Sequence, residues 1–416
     1  MDLDVSLSWH GPLWHAGLDP AAGQLTAFGI PGASPLLADI LPSADLAASL
    51  AGDTESASSF PALSGGPLPT AILLAGAFLD TPVGARLAPA LRNMVTGLSA
   101  EVPLVLLGEP VTEKGFDLCL RSLRPTAIVD ATAPADVLFA LVCNLQRSLL
   151  RSEEARIRRK VFGRQAGYGV SPRLTGQSGL LVIGVSGRFL ELQAAGPRAG
   201  QVVGAFNQTI GEDFLEHRAF DAVVIDQPFG EALESLHRLR MDSRFSALPV
   251  LVLAETAADA ALLLRAGATD VVCPPILPQS LGHRLSVAIR QGKRRRLADR
   301  VLAETHYHVL RQMRGGGLSV DRFETYLALT AEALARRGLK PYQLRMDARS
   351  FGAASGNLTL AADLEETLLS IALATSREED LVCLVEGQGP VAVVKSARGL
   401  ERLKSRIGAI LGTTRL

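Results

Sequence analysis

The sequence has few cysteines, few aromatic residues and no excess of charge of either sign. Its four cysteines, Cys119, Cys143, Cys273 and Cys383, lie far apart and form no CxxC pair. This argues against a zinc cluster or a disulfide scaffold and favours a reducing compartment such as the cytoplasm. The 42 basic residues balance 42 acidic residues, so the chain lacks the broad positive field typical of a nucleic-acid binder. We therefore expect no nucleic-acid partner, whereas a local anion site remains compatible with the composition.

Long apolar runs are also missing from the sequence. No run approaches the ~20 residues that a membrane-spanning helix needs. The acidic start at Met1 to Asp4 has neither the basic nor the apolar region of a signal peptide. We expect no membrane insertion. A length of 416 residues with 48% apolar residues instead predicts a cytoplasmic globular protein of several domains.

The clearest pattern that is present is an internal repeat of apolar strands alternating with helical segments. The strands of the second copy are predicted at 220–226, 248–253 and 267–275, and those of the first copy at 69–75, 102–107 and 125–130. Continuous apolar strands that alternate with helices indicate a parallel sheet covered on both faces. The sequence therefore predicts two copies of one α/β unit, followed by a different, α+β unit after Gly315.

The spacing of the second copy resembles that of response-regulator receiver domains, which are doubly wound units of five strands. In that family an Asp after the third strand accepts phosphate, an acidic pair holds Mg²⁺, and a Thr or Ser and a Lys complete the site. Of these elements only the acceptor is retained, as Asp226. The aligned positions of the others hold different residues: Gly184 and Val185 for the acidic pair, Ala254 for the Thr, Pro274 for the Lys, and Ala75 for the acceptor of the first copy. We interpret Asp226 as a vestigial phosphoacceptor and both copies as degenerate receivers. The resemblance implies that they still form a homodimer.

The segment from Ser376 to Val394 is similar to the stretch of GGDEF domains that runs RxxD, five residues, GGDEF and an apolar strand. Asp347 resembles the first carboxylate of the family's D-x-D-x-F strand end. Two receivers followed by a GGDEF domain is the layout of PleD-type diguanylate cyclases. The resemblance thus implies two degenerate receivers followed by a degenerate GGDEF domain that is shortened at its C-terminal end.

These resemblances predict five consecutive segments. They are a degenerate receiver over 1–148, a helical extension and linker over 149–177, a second degenerate receiver over 178–290, a connecting helix over 291–314 and a degenerate GGDEF domain over 315–416.

The catalytic site of the cyclase family is altered at several positions. The residues of this degenerate A-site are Asp347, Glu386, Gly387, Gln388, Gly389 and Pro390. A cyclase needs two carboxylates for metal and small glycines beside the nucleotide. Here Gln388 is neutral where the second carboxylate belongs, Glu386 replaces the first glycine, and Ser355 stands at the family's guanine-reading Asn. We therefore expect no enzymatic activity, no catalytic residue, no metal and no cofactor.

The RxxD motif is retained as Arg377 and Asp380. In the family it forms the inhibitory site for cyclic di-GMP, and Arg406 lies where a second arginine often contacts the ligand. An arginine fork can bind guanine O6 and N7 or a phosphate through two parallel hydrogen bonds. A surface ion pair between residues three apart is the other interpretation of Arg377 and Asp380. The basic run 292–296 either completes the ligand site or forms a solvated helix face.

The resemblance implies a non-enzymatic effector that binds cyclic di-GMP and recruits partner proteins. Such partners would include an RcdA-like protease adaptor, and the setting would be polar cell-cycle control of regulated proteolysis, in the cytoplasm and at the cell pole. The alternative is a scaffold that binds no nucleotide and acts through receiver dimerisation.

Overall fold

The computed structural model describes residues 25–28, 68, 71–97, 101–130, 133, 135–163, 179–185, 187–196, 201–242, 244–347 and 358–413, with only the backbone at 25–28, 83, 87, 91, 94–95, 97, 120, 135–136, 139, 358–363 and 413. The predicted mixed α/β class with parallel sheets is confirmed. Ser355 and most of the predicted linker, 164–177, lie outside the described residues. None of the helices in this described part of the chain is long and apolar enough to cross a membrane.

The strands and helices are numbered in chain order. The strands are β1 Leu25–Phe28, β2 Ala71–Ala75, β3 Leu104–Leu107, β4 Ala127–Val129, β5 Gly179–Ile183, β6 Gln201–Ala205, β7 Ala222–Ile225, β8 Val250–Leu253, β9 Asp270–Val272, β10 Tyr342–Arg345, β11 Leu381–Val385 and β12 Gly389–Val394. The helices are α1 Pro82–Gly97, α2 Glu113–Asp117, α3 Ala135–Phe162, α4 Phe189–Ala195, α5 Gln208–His217, α6 Phe229–Met241, α7 Ala257–Arg265, α8 Pro278–Arg314, α9 Val320–Ala335, α10 Leu358–Thr375 and α11 Ala397–Thr413.

The chain divides into two compact units. Unit 1 comprises the described residues of 25–146 and 179–296, and unit 2 comprises 147–163 and the described residues from 297 onward. The boundaries between the units fall inside the long helices α3 and α8, and α8 includes the whole of the predicted connecting helix 291–314.

Unit 1 holds two parallel sheets. The first has the order β1-β2-β3-β4, and the second has five strands in the order β6-β5-β7-β8-β9. The second order is the 2-1-3-4-5 arrangement of flavodoxin-like folds. Strand β7 is entirely apolar and buried, as expected of a central strand with helices on both faces. Apolar side chains from both faces of the second sheet accordingly form two separate core clusters.

Helix α8 packs against both sheets of unit 1. Leu285 and Ile289 belong to the core of the second sheet, whereas Val287 belongs to the core of the first. A polar contact also reaches the first copy, because Arg290 donates to the carbonyl of Pro125, just before β4, over 2.9 Å. The two α/β copies therefore share one helix.

Unit 2 is built on an antiparallel sheet with the order β10-β12-β11. Strands β11 and β12 form a hairpin whose turn places Gly387 at φ +69°, a conformation that favours glycine. Leu318, just before α9, pairs with Val385 at the free edge of β11. Apolar residues of α9 and the second half of α3 pack on one face of this sheet, and those of α10 and α11 pack on the other.

Buried charges hold the second half of α3 to the rest of unit 2. The Glu154 carboxylate accepts hydrogen bonds from Arg158 Nε (2.6 Å) and Tyr326 Oη (2.7 Å) and pairs with Lys395 Nζ (2.7 Å). Burial opposes the charge of Glu154, but Lys395 and Arg158 outweigh it and lower its pKa. Because buried charges need partners, these four side chains fix α3 against α9 and the end of β12.

Candidate functional site

The RxxD residues lie in the turn between α10 and β11 of unit 2. The Asp380 amide donates to the Arg377 carbonyl over 3.0 Å, and the Asp380 carboxylate accepts from the Arg377 amide over 3.4 Å. Arg158 fixes the turn from outside by donating to the Asp380 carbonyl over 2.8 Å. The structure thus brings Arg377 and Asp380 together in one turn that hydrogen bonds stabilise, and both residues are half-buried.

Further arginines surround Arg377. Burial and the positive charge of Arg147 on α3 lower the pKa of the Arg377 guanidinium, and Arg406 on α11 adds to the effect, whereas Glu379 and Asp380 oppose it. Arg406 is exposed and donates to the carbonyl of Thr375, at the end of α10, over 3.1 Å. The structure therefore places all three predicted ligand residues around one turn.

Helix α11 contributes a row of arginines rather than one. Arg398, Arg402 and Arg406 are spaced four residues apart and share one side of the helix. Burial, together with Arg398, Arg377 and Arg406, lowers the pKa of Arg402. An arginine pKa that is lowered by other arginines reports a positive potential, which attracts anions.

The middle residues of the motif, Glu378 and Glu379, are ion-paired to α3. Glu379 is buried and accepts from Arg147 Nε over 3.1 Å and from Arg151 Nη1 over 3.3 Å. Burial opposes its charge, but these two arginines outweigh that effect and lower its pKa. Arg151 also pairs with Glu378 and, over 2.8 Å, with Asp299.

Asp380 differs from Glu379 in its ionisation. Burial and the neighbouring charge of Glu379 raise the pKa of Asp380 to about 7, although Lys395 and Arg377 act in the opposite direction. Near neutral pH the side chain is therefore divided between its protonated and ionised forms. Only the ionised form offers two acceptor oxygens to a donor-rich ligand edge.

The degenerate A-site lies at the hairpin end of the same sheet. Glu386, Gly387 and Gln388 form the exposed turn, and the Gln388 amide donates to the Val385 carbonyl over 3.0 Å. Gly389 begins β12, where a side-chain carbon would lie 3.6 Å from the Glu365 carboxylate.

Asp347 follows β10 next to this hairpin. The Met346 amide donates to the Pro390 carbonyl over 3.0 Å, which extends the β10–β12 pairing to the residue before Asp347. The structure thus brings Asp347 beside the hairpin of the degenerate A-site. Residues 348–357, which carry the rest of the predicted strand-end motif, lie outside the described part. Among the residues that are described, no group of three potential ligands is placed to hold a metal ion.

Asp226 lies in unit 1, directly after β7. It is buried, and burial raises its pKa, with Arg188 opposing and Glu191 adding to the effect. Gly184, at the position of the family's acidic pair, adopts φ +143°, and a side-chain carbon there would lie 1.9 Å from the Asp226 carbonyl oxygen. The backbone just after β5 therefore lies so close to the backbone just after β7 that a carboxylate side chain has no room at position 184.

Within the basic run 292–296, Lys293 is exposed and two arginines pair with carboxylates of unit 1. Arg296 pairs with the buried Asp221 over 2.6 Å, and Arg294 pairs with Glu101. A side-chain carbon at Gly292 would lie 1.7 Å from the Asp221 carbonyl oxygen, so the helix passes close to this backbone. These contacts join α8 to both sheets of unit 1.

The sequence analysis did not identify the arginines of α3 and the first two of α11 as part of the site. The signal for α11 was the spacing of four at 398, 402 and 406. On α3, Arg147, Arg151, Glu154 and Arg158 follow the helical spacing of one face, but no residue type in that row points to a ligand by itself.

Comparison of the sequence with models of known protein families gives no match, and comparison with curated proteins gives none. A function for this chain therefore rests on the geometry and charge of the residues described above.

Proposed function

We propose that the chain is a non-enzymatic receptor for cyclic di-GMP and that the RxxD turn of unit 2 is the ligand site. The observation that carries the proposal is that arginines from two helices contact the turn that holds half-buried Arg377: Arg147 of α3 donates to Glu379, and Arg406 of α11 donates to the Thr375 carbonyl. A structural ion pair between Arg377 and Asp380 alone does not require these additional arginines. Cyclic di-GMP combines two phosphates with two guanines, so it uses both the positive charge and the hydrogen bonds of such a site.

Each residue has a distinct role in this proposal. Arg377 donates its fork to guanine O6 and N7 or to a phosphate. Asp380, when ionised, accepts from the N–H donors of the same base. Arg406 and Arg402, on the exposed side of α11, meet the other half of the ligand.

The wider architecture that we propose is two degenerate receivers followed by a degenerate GGDEF domain. The 2-1-3-4-5 order of the second sheet and the hairpin next to Asp347 support it. In this proposal the domain keeps the product site of a cyclase and has lost the catalytic one. Ligand binding then controls which partner proteins, such as a protease adaptor at the cell pole, associate with the chain.

We predict that the purified protein does not convert GTP to cyclic di-GMP. Gln388 has no charge with which to hold a metal ion at the triphosphate, and Glu386 adds a negative charge where the nucleotide would approach. Chromatographic detection of product after incubation with GTP and Mg²⁺ checks this prediction. Product above the level without enzyme, and lost in Asp347→Ala, would show that the A-site is active.

We further predict that ligand affinity rises with pH near neutrality. The ligand contacts favour ionised Asp380, whose pKa in the unliganded chain is about 7. About one tenth of it is ionised at pH 6 and about nine tenths at pH 8, so the affinity should rise about 10-fold over this range. Calorimetric titration at the two pH values measures the ratio. Asp380→Asn should abolish the difference, and an equal pH dependence in that variant would assign it to another group.

Protein stability should change in the opposite direction over the acid side of this range. Because the folded-state pKa of Asp380 is raised above 3.8, the folded state binds its proton more tightly than the unfolded state. The contribution of Asp380 to stability is therefore complete below that value and is lost as the pH rises towards 7. Ligand binding and folding thus respond to the same proton with opposite sign.

A further inference from the structure

Exposed apolar side chains follow β5 and β6 at the carboxyl ends of these two strands in unit 1. They are Val185, Leu190, Phe206 and Ile210, which are 75%, 71%, 74% and 37% exposed. Together these four side chains present on the order of 400 Å² of apolar surface. A patch of this size on a monomer is often an interaction site. We refer to these four residues as the β5–β6 patch.

Val185 and Phe206 lie side by side because they follow paired strands. Strand β5 pairs in parallel with β6, and Ile183 near the end of β5 lies opposite Ala205 at the end of β6. The Gly184 amide continues this pairing by donating to the Ala205 carbonyl over 2.9 Å. The two chain segments therefore leave the sheet together, and both exposed side chains stand at one corner of it.

The other two residues of the patch lie in the first turns of the helices that follow these strands. The Asn207 side chain accepts a hydrogen bond from the Ile210 amide over 3.0 Å, which fixes the first turn of α5 directly after β6. Leu190 is in the first turn of α4. A side-chain carbon at Gly204 would lie 3.1 Å from the Phe189 ring, so the start of α4 packs closely on β6. The patch is therefore held by regular structure.

The opposite edge of the same sheet is covered by the first α/β copy. Arg284 of α8 pairs with Asp270 of β9 and, over 3.4 Å, with Glu109 of the first copy. Val287 of the same helix belongs to the core of the first sheet. Among the described strands, β6 pairs with β5 only. A partner that approaches this sheet at an edge therefore meets β6 and the patch beside it.

The charged residues beside Leu190 have opposite signs. Arg188 directly precedes α4, and Glu191 lies three residues further along in its first turn, so both face the same side of the helix. Charges of one sign only would make the patch repel a second copy of itself, because a two-fold contact brings the same surface together twice. With one charge of each sign, the surface is complementary to itself.

We propose that the β5–β6 patch is the surface through which two copies of the chain associate, about a two-fold axis that sets Arg188 of each copy against Glu191 of the other. The sequence analysis expected a homodimer without indicating its surface, and this inference does not depend on the ligand. Two such patches would bury on the order of 800 Å² through these side chains alone, close to the ~1,000 Å² that a specific interface needs. We therefore expect dissociation in the micromolar range.

Analytical ultracentrifugation of the full-length protein at micromolar concentration tests the inference. The wild type should sediment as a dimer. Leu190→Glu and Phe206→Glu should each weaken association at least ~100-fold, because each buries an unpaired charge in an apolar contact. Leu262→Glu is the matched control, since it adds the same charge at a leucine of α7 that is 51% exposed and lies outside the patch. It should remain dimeric.

A monomeric wild type would overturn the inference. Loss of the dimer in Leu262→Glu, with the dimer kept in Leu190→Glu, would also overturn it and would assign the interface to α7. Circular dichroism of each variant verifies that a lost dimer is not a lost fold.

Charge reversal tests the two-fold arrangement itself. Arg188→Glu and Glu191→Arg should each weaken self-association about 10-fold or more, because each sets like charges together at two places. An equimolar mixture of the two variants should associate as the wild type does, since opposite charges then meet at both places. A mixture that associates no better than either variant alone would overturn the proposed interface.

Discussion

Replacing Arg377 with alanine should weaken cyclic di-GMP binding by at least ~10-fold and up to ~1000-fold, because hydrogen bonds to charged groups contribute ~1.5–3 kcal/mol each and an arginine fork makes two. The loss should be large because Arg377 is half-buried, so its fork is held in place before the ligand arrives. Isothermal titration calorimetry of wild type and variant measures it.

Three further variants test whether the lost affinity comes from contacts of the RxxD turn with the ligand. Asp380→Ala should lose less affinity but more discrimination for guanine, because the carboxylate reads the donor edge of the base. Arg406→Ala should reduce the affinity by an amount between those of Arg377→Ala and Asp380→Ala. Arg336→Ala is the control, since it removes a surface arginine that follows α9 and pairs with Glu332 of that helix, and it should leave binding unchanged. Wild-type affinity in Arg377→Ala would favour the scaffold that acts without nucleotide, or a ligand site elsewhere in the chain.

Much of the secondary structure was predictable because local patterns determine it. The buried strands β7 and β8 appear close to their predicted positions, 220–226 and 248–253, since continuous apolar runs flanked by turn residues have few alternative structures. The parallel pairing in unit 1 followed from strands that alternate with helices. Four strands of the first sheet fall within the described residues, where a five-stranded unit was predicted.

The packing of the long helices was not predictable in the same way. A basic, helix-forming sequence such as that of α3 is compatible with a solvated face, and only the fold shows that Glu154 and Arg158 are buried there. The same holds for Arg294 and Arg296, which are paired within unit 1. Long-range ion pairs join residues more than two hundred positions apart, as in Arg147 and Glu379, and no local pattern encodes such a distance.

Neutralising Glu154 should destabilise unit 2 by about 3–5 kcal/mol, the usual cost of removing one partner from a buried ion pair. Glu154→Gln keeps the size of the side chain but leaves Arg158 and Lys395 as buried positive charges with no carboxylate between them. The Tyr326 hydroxyl would lose its charged acceptor at the same time. Differential scanning calorimetry of the full chain should show the change as a lower unfolding temperature for the transition that contains unit 2.

A matched control and a compensating change test the cause of that destabilisation. Glu332→Gln breaks an ion pair with the same four-residue spacing, but its carboxylate is 59% exposed, so the change should cost at most about 0.5 kcal/mol. Adding Lys395→Met to Glu154→Gln removes one of the two stranded charges and should recover part of the loss, because most of the cost is the desolvated charge and not the missing contact. If Glu154→Gln melted like Glu332→Gln, the buried charges would not be what holds α3 to the sheet. Recovery by the second substitution would instead show that charge compensation holds this helix to the rest of unit 2.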